Sequence, residues 1–289
     1  MARQSRSLSG KVVFVTGAAR GIGRATAAAL VAEGARVAIG DLDESLTRRV
    51  AGELGPDVLG VRVDVTDHAG FTAALDHVER ELGPLDVLIN NAGIMPMGAF
   101  EDESPETTAR VIAINLGAPI HGTREAIRRM RPRGTGHIIN VASMAGVVPT
   151  PGASTYSATK HAVVGLTESV RWELMGSGID IGYVLPAVVK TELAAGIKPT
   201  RASRAVEPEV VAHEIVAALK KPKVAIFAPR EMGLITKVSG LLPRRVGEKL
   251  MTATGSDHLL ADAVATGERA AYEARAAASA PGVDTASTR

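Results

Sequence analysis

Residues 11–23 read KVVFVTGAARGIG, and this stretch decides the fold. Its first six residues form a short apolar run rich in β-branched side chains, which is typical of a buried strand. Glycines follow at once, and the next pattern predicts a helix from Ala25 to Glu33 that ends at Gly34. The helix amides and dipole would then face the glycines, so we predict a phosphate-binding turn. Glycine clusters are also common in ordinary turns, and the pattern alone leaves both interpretations open.

A second predicted strand, Arg36 to Gly40, leads into Asp41. In dinucleotide-binding folds an acidic residue about 20 positions after the glycine turn accepts a hydrogen bond from the ribose 2′-hydroxyl. The carboxylate would repel a 2′-phosphate, so Asp41 favours NAD over NADP. Arg20 points more weakly the other way, because a guanidinium in the turn can reach a phosphate.

Tyr156 and Lys160 lie four residues apart in a stretch that is predicted to be helical, which puts them on one helix face. A phenol titrates near pH 10, so lowering its pKa to neutrality needs about 4 kcal/mol of stabilisation. A neighbouring ammonium group can supply it, although an isolated pair at this spacing is usually an ordinary surface contact.

With these features in order, the chain resembles the short-chain dehydrogenase/reductase family over roughly residues 8 to 228. Thr16 to Gly23 is similar to the family's T-G-x-x-x-G-x-G turn, and Asn90 to Gly93 is similar to its N-N-A-G signature. The resemblance implies that the following residues bind the coenzyme: Gly17, Arg20, Gly21, Ile22, Gly23, Asp41, Asp64, Val65, Asn91, Ala92, Gly93, Tyr156, Lys160, Val189 and Thr191.

The resemblance also implies the catalytic residues Asn115, Ser143, Tyr156 and Lys160. Tyr156 would exchange a proton with the alcohol or carbonyl oxygen, and Ser143 would donate a hydrogen bond to the same oxygen. Lys160 would lower the pKa of Tyr156 and bind the nicotinamide ribose, and Asn115 would hold a water beside Lys160. Singly, Ser143 and Asn115 also fit structural roles in a turn and a helix.

The chain departs from the family after the sixth predicted strand, where P-G-x-x-x-T is usual. Here Pro186 is followed by Ala187 instead of glycine, and the motif ends at Thr191. We expect Val189 and Thr191 still to reach the nicotinamide carboxamide, with less backbone freedom at Ala187.

The predicted fold class is α/β, a Rossmann-type doubly wound parallel sheet in one domain, because strand and helix patterns alternate to about residue 228. Residues 1–228 are predicted to form the catalytic domain, 229–275 a C-terminal amphipathic or helical extension, and 276–289 a disordered tail. Seven strands are predicted, at residues 11–16, 36–40, 57–64, 85–90, 136–142, 180–185 and 223–228.

Composition excludes several classes of protein. The chain has no cysteine, so it can form neither a disulfide framework nor a thiolate metal site, and its seven histidines show no zinc-binding spacing. We therefore predict no metal. A net charge of +2 without a basic stripe gives no case for nucleic acid. No apolar run approaches a membrane span and no secretory signal is present, so we expect a cytoplasmic protein.

Residues 229–251 combine apolar side chains with five basic residues and two glutamates, in a stretch interrupted at Pro243. Such a stripe fits packing within the subunit or against a partner subunit, or peripheral contact with a membrane or a lipid-like substrate. Residues 256 to 275 are predicted to be helical. A homo-oligomer is expected because members of the resembled family usually are.

The predicted substrate pocket is apolar, and the segment from Ala194 to Arg204 is a predicted lid. This favours a hydrophobic secondary alcohol or ketone, such as a lipid-like or steroid-like molecule. A second hypothesis is a regulator or scaffold that binds NAD(H) without turnover. The residues expected to face the pocket are Met95, Met97, Val147, Val148, Val188 and Leu193.

Overall fold

The computed structural model of the protein describes residues 5–197, 205–239 and 267–279, together with positions 243, 245, 246, 249, 252, 260 and 263. Seven parallel strands form one sheet in the order β3-β2-β1-β4-β5-β6-β7. The predicted fold class and strand number are therefore confirmed. The strands are β1 (Val12–Thr16), β2 (Arg36–Asp41), β3 (Leu59–Arg62), β4 (Val87–Asn90), β5 (Gly136–Val141), β6 (Ile179–Pro186) and β7 (Ala225–Ala228).

Helices cover both faces of the sheet, as a parallel sheet requires. Prolines stand at the first position of two of them, Pro105 and Pro208, where the missing amide hydrogen has no helical partner. The helices are α1 (Gly21–Ala32), α2 (Glu44–Leu54), α3 (His68–Leu82), α4 (Pro105–Ile112), α5 (Ala118–Met130), α6 (Ser154–Glu173), α7 (Pro208–Lys220), α8 (Glu231–Ser239) and α9 (Ala270–Ala278).

Strand β1 lies at the centre of the core, and its side chains alternate between the two faces. Val13 and Val15 pack with residues of α1, α2 and α7, whereas Val12 and Phe14 pack with residues of α3 and α5. All of these side chains are buried. The order of the strands reverses between β1 and β4, and ligands of such sheets bind beyond the carboxyl ends at this point.

The edge strand β3 is shorter than predicted. The chain that precedes β3 turns at Gly55, which has a φ of 152° that glycine adopts more readily than other residues. The Val58 amide donates a hydrogen bond to the Gly55 carbonyl within this turn. Regular pairing with β2 therefore begins only at Leu59.

The C-terminal prediction needs a correction. Helix α9 continues to Ala278, so residues 276–279 belong to the folded structure and not to a disordered tail. Ala276 is buried in the core, and Arg110 donates a hydrogen bond of 3.3 Å to its carbonyl oxygen. The predicted helix at 256 to 275 falls in part, and the tail from 280 to 289 wholly, outside the described residues. The same holds for much of the segment 240–251.

His137 on β5 predicts acid sensitivity of the fold. It is buried, its Nε2 has no hydrogen-bond partner in the described part of the chain, and burial lowers its pKa to about 4, against the attraction of Asp180. Between about pH 6.5 and pH 4, His137 is therefore protonated in the unfolded chain and neutral in the folded chain. The contribution of His137 to the free energy of unfolding is fully present above pH 6.5. It falls by up to about 3 kcal/mol as the pH decreases through this range.

His137→Leu is therefore expected to flatten the loss of unfolding free energy across this pH range. Urea unfolding at a series of pH values measures it. His213→Leu, at an exposed histidine of α7, is the matched control and should keep the wild-type slope. An unchanged slope in His137→Leu would contradict this assignment.

Candidate active site

One large cavity, with a volume of about 1420 Å³, opens at the carboxyl edge of the sheet. It extends from the glycine turn after β1 to Tyr156 at the start of α6. Two of the predicted site residues, Gly23 and Asn115, lie behind its wall and not on it. The other predicted site residues all line it: Gly17, Arg20, Gly21, Ile22, Asp41, Asp64, Val65, Asn91, Ala92, Gly93, Ser143, Tyr156, Lys160, Val189 and Thr191.

The glycine turn has the geometry that a bound pyrophosphate requires. Gly17 and Gly21 have φ values of +62° and +51°, which glycine adopts readily. A Cβ at Gly17 would lie 2.7 Å from Cα of Ala92, so the turn admits no side chain there. No side chain caps the start of α1, and its first amides face the cavity with the positive end of the helix dipole. These residues fit the phosphates of a dinucleotide.

Thr16 at the end of β1 and Asn91 just after the neighbouring strand β4 fix this turn. The Asn91 amide nitrogen Nδ2 donates to the carbonyls of Thr16 and Gly17, at 2.8 and 2.9 Å. The Thr16 hydroxyl accepts from the amides of Asn91 and Ala92, at 3.0 and 3.1 Å. Asn91 thus shapes the turn, and Thr16, which was not among the predicted site residues, does so equally.

Gly23→Ala is expected to weaken NADH binding by at least about tenfold. The new Cβ would lie 2.5 Å from the Gly17 carbonyl oxygen and 2.6 Å from Nδ2 of Asn91, so the turn must move. Calorimetric titration with NADH measures the affinity. Gly52→Ala on α2, whose Cβ would meet nothing within 4 Å, is the control and should bind as wild type. Unchanged affinity in Gly23→Ala would remove this turn from the coenzyme site.

Asp41 is oriented by the backbone around it. One carboxylate oxygen accepts from the Ala19 amide at 3.1 Å, and the other accepts from the Asp43 amide at 3.4 Å. Arg20 is engaged elsewhere, in ion pairs with Asp43 at 3.0 Å and Glu192 at 3.5 Å. Asp64 at the next strand end accepts from the amide and hydroxyl of Thr66, at 2.9 and 2.7 Å. The carboxylate of Asp41 is thus held in place at the end of β2. Arg20 would have to break its ion pairs with Asp43 and Glu192 before it could bind a phosphate.

Tyr156 and Ser143 form the polar pair at the other end of the cavity. Ser143 begins a short 3-10 turn after β5, and its hydroxyl accepts from the Ala145 amide at 3.1 Å. Burial raises the pKa of Tyr156, and a hydrogen bond with Ser143 opposes that rise. The lowering of the Tyr156 pKa by Lys160, which the family resemblance implies, stays a prediction.

Lys160 is buried one turn further along α6. Its Nζ donates to the Val141 carbonyl at 2.9 Å and lies 5.6 Å from the centroid of the Tyr156 ring. Burial lowers the pKa of Lys160 to about 8. The ammonium group is therefore close to Tyr156 and still charged at neutral pH.

Asn115 lies in the π-helical turn between α4 and α5, and its side chain holds the chain after β4. Its Oδ1 accepts from the Ile94 amide at 2.9 Å, and its Nδ2 donates to the Ile94 carbonyl at 2.8 Å. A Cβ at Gly93 would stand 3.2 Å from this Oδ1 and 3.5 Å from Nζ of Lys160. The glycine keeps this space open, and a water held there by Asn115 stays a prediction.

Ala187 takes the place of the usual glycine without strain. The described chain has no non-glycine residue at positive φ, and the Ala187 amide donates to the Ala228 carbonyl at 2.9 Å. Nearby, the Thr191 hydroxyl donates to the Val189 carbonyl at 3.4 Å, and its methyl group would lie 3.0 Å from a Cβ at Gly21. Thr191 therefore packs over the glycine turn, and its contact with the coenzyme stays a prediction.

The substrate end of the cavity is apolar. Met95, Val147, Val148, Val188 and Leu193 line it as predicted, whereas Met97 packs behind the wall against the apolar cluster around Tyr156. Ala194 and Ile197 of the predicted lid also line it, and positions 198–204 fall outside the described residues.

The C-terminal region contributes lining residues that were not among those expected to face the pocket, although Met232 and Thr236 belong to the segment 229–251, for which contact with a lipid-like substrate was one interpretation. Nothing in the alanine-rich pattern of α9 marks a binding site, and only the tyrosine stands out. The additional lining residues are Met232, Thr236, Leu260, Tyr272, Arg275, Ala276 and Ser279.

Two other predictions concern absences. Within the described ranges, no helix is long and apolar enough to cross a membrane. No group of three or more potential metal ligands occurs in that part of the chain either.

Comparison with known proteins identifies similar sequences and folds. A family model described as short chain dehydrogenase matches residues 11–202. The 3-alpha-(or 20-beta)-hydroxysteroid dehydrogenase of Mycobacterium tuberculosis (strain ATCC 25618 / H37Rv) is 40% identical over 216 residues, covering 73% of this chain and 83% of that protein.

Two solved structures extend the comparison. A short chain dehydrogenase/reductase from Burkholderia phymatum in complex with NAD superposes with a TM-score of 0.74 at 28% identity, covering 81% of this chain and 94% of that one. The 3-ketoacyl-(acyl-carrier-protein) reductase from Brucella melitensis complexed with NADH gives a TM-score of 0.71 at 31% identity, covering 76% and 97%.

Proposed function

Because the chain belongs to the short-chain dehydrogenase family and is an oxidoreductase acting on alcohol groups, we propose that its coenzyme is NAD and its substrate a hydrophobic secondary alcohol or ketone. The substrate is lipid-like or steroid-like. The observation that carries this proposal is the position of the Tyr156–Ser143 pair, which lies in an apolar cluster at the far end of the cavity from the glycine turn.

The choice of NAD rests on Asp41. Its carboxylate lies on the cavity wall, is oriented by two backbone amides, and would accept hydrogen bonds from the adenosine ribose hydroxyls. A 2′-phosphate at the same place would be repelled. Arg20, the one nearby cation predicted to attract it, is shared between Asp43 and Glu192. The two solved relatives, complexed with NAD and NADH, support the same choice.

The apolar substrate rests on the wall around Tyr156. Met95, Ala145 and Ala153 form a buried cluster with it, and Val147 and Val148 continue the surface. A cavity of about 1420 Å³ is large even after a dinucleotide is accommodated. The similar mycobacterial protein is named as a hydroxysteroid dehydrogenase, in agreement with a bulky apolar ligand.

When bound, the nicotinamide supplies the chemistry of accepting or giving a hydride at the carbinol carbon. The proton is handled by the chain itself. Burial keeps the Tyr156 phenol protonated, so its Oη holds the proton that a carbonyl oxygen gains on reduction. In alcohol oxidation the same Oη receives a proton, and the ammonium of Lys160 stabilises the phenolate that has to form first.

Ser143 and the surrounding apolar wall complete the proposed mechanism. The Ser143 hydroxyl lies beside Tyr156 and can turn its one hydrogen to the reacting oxygen, where it would stabilise negative charge. The apolar cluster excludes water, which strengthens this interaction. The water proposed between Asn115 and Lys160 would return the proton to solvent.

The alternative of a regulator that binds NAD(H) without turnover has no supporting observation, because a binding protein needs no buried Tyr156–Ser143 pair. Assembly into homo-oligomers and peripheral membrane contact through 229–251 stay predictions. Size-exclusion chromatography with light scattering and vesicle co-sedimentation test them.

Turnover across a series of secondary alcohols of increasing apolar size, steroids included, tests the proposed function. NADH formation should increase in kcat/KM with apolar size and exceed NADPH formation. Selective turnover of small polar alcohols or sugars would refute the proposed substrate class, and preference for NADP would refute the proposed coenzyme.

A further inference from the structure

Helix α9 is joined to the substrate end of the cavity by a buried arginine. Arg269, which is only 3% exposed, precedes the helix. Its Nη1 donates to the carbonyls of Leu193 and Ala195, at 2.7 and 3.1 Å, and its Nη2 donates to the Met95 carbonyl at 2.7 Å. These carbonyls belong to two separate loops of the pocket wall. A buried guanidinium satisfied by three of them fixes both loops relative to α9.

Tyr272 of α9 contacts Arg269 and lines the cavity. Its ring lies 4.7 Å from the guanidinium carbon of Arg269, and its oxygen accepts from the Met95 amide at 2.7 Å. The side chain is half-buried and lines the cavity. Within the described ranges, this hydroxyl donates no hydrogen bond to the protein. This hydroxyl is therefore a fixed donor at the edge of an otherwise apolar surface.

The helix is anchored at its far end as well. Ala276 is 4% exposed within the core, and Arg275 pairs with Glu192 at 2.5 Å. The family model matches residues 11–202, so α9 lies outside the matched segment. Its contacts nevertheless reach the pocket wall, which is where substrates are distinguished.

We propose that α9 forms a wall of the substrate site, in which Tyr272 determines specificity by donating a hydrogen bond to a second oxygen of the substrate. Arg269 is the positioning residue that holds Tyr272 and Met95 in place. This inference rests on the proposed function and deepens it: the preferred substrate is a bulky apolar alcohol or ketone with a second carbonyl, ester or hydroxyl oxygen away from the reacting carbon.

The test compares steroid alcohols in matched pairs, each a monohydroxysteroid and the same skeleton with an added ketone at a different ring position. For at least one pair, wild-type enzyme should prefer the doubly oxygenated member. Tyr272→Phe should reduce that preference by about two- to tenfold, the effect of one hydrogen bond. Tyr183→Phe removes a phenol hydroxyl bonded to Glu168 outside the cavity lining, and it should leave the preference unchanged. An equal loss of kcat/KM for both members would show a structural role only and would overturn the inference.

Arg269→Met tests the positioning role. It should raise KM for both members of the pair several-fold and leave the calorimetric affinity for NADH unchanged, and Arg269→Lys should recover part of the loss. If the folded Arg269→Met variant keeps the wild-type KM, the positioning role is refuted. If Arg269→Met does not fold, Tyr272→Phe decides the inference alone.

Calorimetry separates this inference from the proposed function. If wild-type enzyme turns over no steroid, the proposed substrate class fails. The same pairs titrated into the NADH-loaded protein still test Tyr272. A loss of preferential binding in Tyr272→Phe supports the inference, and its persistence, or an absence of binding, overturns it.

Discussion

Tyr156→Phe is expected to reduce turnover by about a hundred- to ten-thousand-fold and to leave NADH binding close to wild type. The variant keeps the ring and its packing in the apolar cluster and removes only the hydroxyl bonded to Ser143. Without that hydroxyl no group is placed to exchange the proton of the reacting oxygen, because Ser143 is too weak an acid and Lys160 lies one helical turn beyond Tyr156. Steady-state turnover and calorimetric titration with NADH measure the two effects separately.

Tyr183→Phe serves as the control for Tyr156→Phe and should retain wild-type turnover, since Tyr183 bonds Glu168 outside the cavity lining. A Tyr156→Phe variant that retains more than about a tenth of the activity would contradict the assignment of the proton to this phenol.

Asp41→Asn is expected to lower the preference for NAD over NADP by about ten- to a hundredfold. The change removes the negative charge but keeps an oxygen that can accept from the Ala19 amide. NADP binding should improve because its 2′-phosphate no longer meets a carboxylate, and NAD binding should weaken because hydrogen bonds to a charged acceptor are stronger. The ratio of kcat/KM values for the two coenzymes measures the preference.

Asp57→Asn, at an exposed carboxylate outside the cavity lining, is the matched control and should leave this ratio unchanged. An unchanged ratio in Asp41→Asn would mean that another residue selects the coenzyme, and Arg20 would be the next to test.

The parts of the molecule that were predicted correctly depend on local patterns. The glycine turn, the strand before it and the helix after it are consecutive in the chain, so their periodicity and glycine spacing describe them completely. Tyr156 and Lys160 are likewise neighbours on one helix. The alternation of strand and helix then determines a parallel sheet, whose carboxyl ends bring these distant segments together.

The parts that were missed depend on contacts between distant residues. Arg269 binds carbonyls of the Met95 and Leu193 loops, and backbone carbonyls carry no sequence signal. The side chain of Asn115 proved to bind the backbone of Ile94, which only the π-helical turn brings within reach. The burial that raises the Tyr156 pKa likewise carries no sequence signal, because residue spacing reveals a neighbouring cation but not the degree of burial.

Deuterium transfer to NAD from a steroid alcohol deuterated at its carbinol carbon is the most direct test of the proposed hydride transfer. Mass spectrometry of the coenzyme after incubation with the enzyme follows the label. Direct hydride transfer predicts one deuterium in the reduced coenzyme for each ketone formed, and at most about a hundredth as much labelled coenzyme with Tyr156→Phe over the same time. Ketone formation with the deuterium released to water, or tight NADH binding without any oxidation across the steroid series, would contradict it.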